Sequence, residues 1–132
     1  MGNIETVKRM YELFATKDNE AIRTIFAPDI RWNQMKGFPG GGQYIGADAV
    51  FEHVFGGFSR NWTNWKAVTT RFIDSGDGVF AIGYYEGTYT ATGNFMRAAF
   101  AAEYKVKDGK ITEFNQYTDT FLIAAAMGAA TQ

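Results

Sequence analysis

The sequence has no cysteine, one histidine and two prolines. Without cysteine there are no disulfides and no thiolate-bound metal. A lone histidine with no thiol beside it does not make a metal site, so neither a metal nor a cofactor is expected. No apolar run approaches the roughly 20 residues that cross a bilayer. The start, Met1-Gly2-Asn3-Ile4-Glu5, lacks the basic-then-apolar pattern of a secretory leader. A cytoplasmic protein with no membrane partner is the expectation. Basic and acidic residues number 13 and 14, for a net charge of −1, and no basic block is present. A nucleic-acid partner is therefore not expected.

Aromatic residues are abundant. Twelve Phe, seven Tyr and three Trp fall within 132 residues, a length suited to one domain. Aromatic side chains bury large areas, so this supply can fill a core or line a cavity.

The first third has helical periodicity. Ile4, Val7, Met10, Tyr11 and Phe14 form one stripe. Asp18 or Asn19 can cap a second helix with Ala21, Ile22, Ile25 and Phe26 on its apolar face, and Pro28 is expected to end it. Asp29 to Met35 reads as extended. Lys36 to Gly46 is a glycine-rich loop with the composition of a lid or a wide turn; it lacks the Gly-Lys-Ser/Thr ending of a phosphate loop. A third helix is expected from Ala47 to Phe58. The period then falls towards two, giving strands near Trp65–Asp74, Val79–Ala91, Asn94–Val106 and Lys110–Thr118. Thr92-Gly93 suits a two-residue hairpin turn, and Lys107-Asp108-Gly109 a type I turn with a glycine bulge. A short C-terminal helix follows, capped by Asp119 or Thr120. Helices segregated to one face of an antiparallel sheet make an α+β domain.

Four segments carry a resemblance in order and spacing. They are Ile25-Phe26-Ala27-Pro28-Asp29-Ile30-Arg31-Trp32, Tyr44-Ile45-Gly46-Ala47-Asp48-Ala49-Val50, Tyr85-Glu86-Gly87-Thr88-Tyr89-Thr90-Ala91-Thr92-Gly93 and Lys107-Asp108-Gly109-Lys110-Ile111. Over nearly the whole chain, 1–132, the sequence resembles the nuclear transport factor 2-like superfamily, which includes the ketosteroid isomerases. Gln116-Tyr117-Thr118-Asp119-Thr120 is most similar to its SnoaL-like branch. The resemblance implies a cone-shaped fold, with a curved antiparallel sheet and helices on the concave face. It also implies a pocket between them. Aligning Tyr104 with the isomerases' aromatic turns Ala98, Phe100, Ala102 and Tyr104 inward. Pairing through the two turns then sets Tyr85 opposite Phe100, Phe114 opposite Ala102 and Gln116 opposite Phe100. The expected ligand-binding residues are Met10, Phe14, Trp32, Gln34, Tyr85, Phe100, Ala102, Tyr104, Phe114, Gln116 and Thr118. Gly83, Gly87, Ala98 and Ala102 face the same way, and their small side chains favour a ligand-sized cavity, near 300 Å³ at the low end for such sites.

The departures from the resemblance are chemical. Gln34, Met10 and Ala102 stand where ketosteroid isomerases carry an Asp base, a Tyr donor and a protonated Asp. Gln116 stands where SnoaL-like cyclases carry an Asp base. An amide has no useful basicity near neutral pH. His53 and Asp119 are the remaining catalytic candidates: His53 as a base or a bystander at the pocket rim, Asp119 as a base or a helix cap. Glu86 and Glu103 fall on the outer sheet face. The function read from the sequence is a small-molecule-binding protein or an enzyme of isomerase, dehydratase or cyclase type, not a true steroid isomerase. Its ligand would be apolar with carbonyl or hydroxyl groups. The alternative is a non-catalytic interaction domain working through the outer sheet face. A homodimer through that face is expected, from Ile73, Phe80, Ile82, Tyr84, Ala99 and Ala101.

Overall fold

A computed structural model describes residues 2–128. The chain order is α1 (Asn3–Ala15), α2 (Asn19–Arg23), β1 (Phe26–Gln34), β2 (Gly42–Ile45) and α3 (Ala47–Ala49). A π-helical segment (Val50–Phe55) and α4 (Gly56–Asn61) continue α3. Then come β3 (Trp62–Asp74), β4 (Gly78–Tyr89), β5 (Asn94–Lys107), β6 (Lys110–Thr118) and α5 (Thr120–Ala126). The six strands form one curved, unclosed sheet in the order β2-β1-β6-β5-β4-β3. All neighbours are antiparallel except β1 and β6, which run parallel. Helix α1 lies across β3, β4 and β6, so the fold is α+β with helices over the sheet.

Val7, Met10 and Leu13 recur at three-residue spacing and form the buried face of α1. The helix ends in a Schellman motif: Lys17 N–H donates to the Phe14 carbonyl at 3.1 Å and Asp18 N–H to Leu13 at 2.9 Å. Lys17 takes the left-handed position, φ 59°, where glycine is the usual residue. Asp18 then accepts from Ala21 N–H at 3.1 Å and caps α2.

The expectation that Pro28 ends α2 is wrong. The helix stops at Arg23, and β1 already begins at Phe26. Pro28 is tolerated inside β1 because it falls between the pairs Phe26↔Ile111 and Arg31↔Glu113, where the ladder is irregular and no donor is required of it. The glycine-rich loop is shorter than expected, since its end forms β2 against β1.

Both hairpins differ from expectation in register. Tyr89 pairs with Asn94 across a four-residue loop, so Tyr85 faces Ala98 and Gly83 faces Phe100. Lys107 pairs with Lys110 across Asp108-Gly109, both at positive φ (52° and 74°) as a type I′ turn requires. An irregularity between Lys105 and Val106 follows. It sets Gln116 opposite Ala102 and Phe114 opposite Tyr104. Each register is displaced by two residues, and a shift of two leaves every side chain on its expected face.

Candidate functional site

A cavity of about 30 Å³ lies between the concave face and the helices. Each surrounding element contributes. Met10, Tyr11 and Phe14 come from α1, Trp32 and Gln34 from β1, Val54 and Phe55 from the π-helical segment, and Phe58 from α4. Trp65 and Ala67 come from β3, Tyr85 from β4, Tyr104 from β5, and Phe114 and Gln116 from β6. No carboxylate, imidazole, lysine or arginine is among them.

Strand alternation explains most of these positions, and β3 needs more. Thr63 pairs with Thr88, but Lys66 pairs with Glu86, so β3 carries one extra residue there. Asn64 absorbs the bulge at φ 56°. The bulge lets Trp62 and Trp65, three apart, both turn towards the helices. The sequence pattern alone carries no sign of this bulge, so Trp65 was not among the expected site residues. Tyr11 was also missed. It lies about 100° round α1 from Met10, yet its ring reaches Tyr104, and the two hydroxyls are 2.7 Å apart.

The expected ligand-sized cavity is not enclosed, because aromatic rings fill the space beside the small residues. A Cβ on Gly87 would meet the Trp62 and Trp65 rings at 3.4–3.5 Å. The glycine-rich loop inserts Phe38, which is 3% exposed, against Phe58, Trp65 and Tyr85 at ring distances of 6.0, 5.9 and 5.5 Å. The loop therefore packs a side chain against three rings of the cavity wall.

Of the expected ligand-binding residues, Met10, Phe14, Trp32, Gln34, Tyr85, Tyr104, Phe114 and Gln116 line the cavity. Phe100 and Ala102 are buried behind it, Phe100 stacked on Tyr85 at 4.2 Å. Thr118 is outside, and its hydroxyl donates to the Ala99 carbonyl at 2.9 Å. His53 and Asp119 are outside too. His53 is largely exposed on the π-helical segment, beside Glu52 at 3.7 Å and stacked on Tyr44. Asp119 accepts from Leu122 N–H at 3.2 Å and caps α5. The structure thus gives Asp119 the role of cap and leaves it away from the cavity that a base would have to reach.

Besides the Tyr11–Tyr104 pair, the polar groups of the cavity form two hydrogen-bonded sets. Trp32 Nε1 donates to Gln34 Oε1 at 2.9 Å. Met35 N–H donates to Gln116 Oε1 at 3.0 Å, and Gln116 Nε2 donates to Tyr85 Oη at 3.0 Å. Burial pushes the Tyr11, Tyr85 and Tyr104 phenols above their ordinary value of 10.0. All three are therefore neutral hydrogen-bonding groups at physiological pH and none is a base.

Beside the cavity lies a larger groove of about 820 Å³ between the C-terminal end of α1, the π-helical segment with α4, and β3. Phe14, Phe55, Phe58, Trp65 and Ala67 line both spaces. Phe58 and Trp65 stack nearly parallel, 4.2 Å apart at 9°. Two non-glycine residues at positive φ, Lys17 and Asn64, also line the groove.

A sequence profile for the SnoaL-like domain matches residues 7–114. The chain belongs to the SnoaL-like family. An NTF2-like protein from Burkholderia thailandensis is 35% identical, superposes with a TM-score of 0.92, and is matched over 96% of this chain and 98% of its own. An NTF2-like protein of unknown function from Burkholderia pseudomallei, 24% identical over 98% and 100% of the two chains, superposes at 0.88. TerC, co-crystallised with polyporic acid, is 25% identical, with 96% and 98% covered and a TM-score of 0.86. No curated protein matches the chain.

Within this SnoaL-like domain Gln34 and Gln116, which replace the expected acids, do line the cavity, and Ala102 lies behind it. The arrangement presents amides, phenols and indoles as its polar groups. It offers no carboxylate to abstract a proton.

Proposed function

We propose that this SnoaL-like domain binds a small, largely apolar molecule bearing a carbonyl or hydroxyl group. The larger groove would receive its body, and the cavity its polar end. The observation that carries this reading is the shared wall: five side chains line both spaces, and two buried amides lie on the inner one. Clefts of several hundred Å³ are the usual form of small-molecule sites. TerC, whose fold this chain shares, was co-crystallised with polyporic acid, which supports a small-molecule role. Any reaction on the ligand would proceed without a cavity carboxylate, so steroid Δ5-to-Δ4 isomerisation should stay near the uncatalysed rate. The test is a thermal-shift screen of aromatic carbonyl and hydroxyl compounds. A true ligand at 100 times its Kd adds about 2.7 kcal/mol, a rise of roughly 10 °C for a domain of this size. No shift across the panel would remove the reading.

The outer sheet face is the proposed surface for a homodimer. Ile73 is 41% exposed there, and Phe80, Ile82, Tyr84 and Ala101 are only half-buried in the single chain. Light scattering at tens of micromolar should give twice the 14.7 kDa of one chain; a monomeric mass would contradict it.

A further inference from the structure

One residue of the glycine-rich loop differs from its neighbours. Within residues 36–43 only Phe38 is buried. Its ring lies 6.0 Å from Phe58, 5.9 Å from Trp65 and 5.5 Å from Tyr85. All three line the cavity, and Phe58 and Trp65 line the groove as well. A single loop side chain thus touches the wall that the two spaces share.

Little else holds the loop down. Its backbone hydrogen bonds are local: Phe38 N–H donates to the Met35 carbonyl at 3.0 Å, and Gly41 N–H to the Phe38 carbonyl at 2.9 Å. Tyr44 Oη, from β2, donates to the Gly40 carbonyl at 2.6 Å. Among the described residues, no hydrogen bond ties residues 36–41 to the helices or to β3, β4, β5 or β6. Gly37 and Gly40, at φ 95° and 72°, bracket Phe38. Glycine moves through that region at no steric cost, so the ring has a hinge on either side. Segments with few buried contacts open at low free energy. The seat of the ring is also imperfect. A phenyl ring brings no acceptor, and the Trp65 indole Nε1 beside it has no hydrogen-bond partner; nor does Gln34 Nε2 in the same cavity wall. Unpaired buried donors weaken the closed arrangement.

We propose that Phe38 is a plug: its ring occupies a ring-sized subsite between Phe58, Trp65 and Tyr85 and yields it to an aromatic ring of the ligand. The proposal rests on the small-molecule reading above and adds to it a self-occupied state. The chain's own phenyl ring competes with the ligand, so the apparent affinity is the intrinsic affinity reduced by the fraction of molecules in which the loop has swung out. The occupant defines the ligand class. The three rings that hold Phe38 bear no charge, so the group that replaces it is a flat, uncharged aromatic ring.

The experiment titrates 2-naphthol into the whole chain by calorimetry and follows amide hydrogen exchange with and without saturating probe. The Phe38 and Gly41 amides report on the loop, because both are bonded within it. Saturation should speed their exchange about tenfold or more, since the bound ring holds the loop open. Unchanged or slower exchange at these two amides, with the probe bound, would overturn the plug and leave the binding site standing. Gly40→Ala is an independent arm. Its Cβ would make only ordinary contacts, at 3.6 and 3.7 Å, but φ 72° strains any residue other than glycine. The variant therefore favours the open loop while Phe38 and the three rings stay unaltered. It should bind 2-naphthol about three- to tenfold more tightly. Equal or weaker binding would overturn the plug. Failure of 2-naphthol to bind either protein would also overturn it, and a blank thermal-shift screen beside that failure would remove the site as well. The exchange measurement on the unaltered chain does not depend on the variant folding.

Discussion

The two faces of the same strands handle polar groups in opposite ways. On the outer face charges are paired and wet. Arg97 reaches Glu86 at 2.9 Å and lies over the Tyr84 ring at 4.7 Å. Lys105 bridges Asp77 at 3.1 Å and Glu103 at 3.3 Å. Arg31 meets Glu113 at 2.6 Å, and the guanidinium hydrogen bond holds that carboxyl below its ordinary value. On the inner face no charged side chain lines the cavity, and polarity is limited to amides, phenols and indoles. The difference shows what burial tolerates. Neutral groups are tolerated there when hydrogen-bonded, whereas an unpaired charge would be far more costly.

Moving a charge across the sheet tests the contrast most severely. Ala102 is fully buried, at the position where the isomerases resembled here carry a carboxyl. Ala102→Asp should cost about 3 kcal/mol or more at pH 8, where the carboxylate is charged. Burial raises its folded pKa above the unfolded value, so the folded state binds the extra proton. The loss should therefore grow as pH rises through that interval and shrink towards pH 4. Thermal melts at the two pH values measure it; equal losses at both would mean that bulk, not charge, is the cause.

Alkaline titration sharpens the inner half. Tyr11, Tyr85 and Tyr104 have folded pKa values raised by burial. The stability linked to their protonated state is complete below the unfolded value near 10 and is lost as pH rises above it. Melting temperature should fall steeply above about pH 10. Phenolate absorbance should show these three tyrosines ionising only with unfolding. Their ionisation with unchanged melting would contradict the burial of the three phenols.

The smallest effect belongs outside. Glu86→Gln removes one partner of a partly solvated pair whose arginine keeps its ring contact, so the cost should stay below about 1 kcal/mol. Chemical denaturation checks this; a loss above about 2 kcal/mol would show that the outer pairs carry more of the fold than the contrast allows.

The sequence by itself determined the element order, the family resemblance and the face on which most strand residues lie. Alternation has a period of two, so it survived two hairpin registers misplaced by two residues. Tyr85, Phe114 and Gln116 reached the cavity wall for that reason. Helix α2 and Pro28 were misread because a local rule was applied where an irregular β1–β6 ladder accommodates the proline. What only the tertiary structure decided depends on contacts far apart in sequence. The bulge at Asn64 turns Trp65 inward, Phe38 folds back onto Tyr85, 47 positions away, and Tyr11 meets Tyr104 across 93 positions. The two unpaired donors are of the same kind. Whether an amide hydrogen is left free is settled by which neighbour has taken its oxygen, and that is fixed only once the chain has packed.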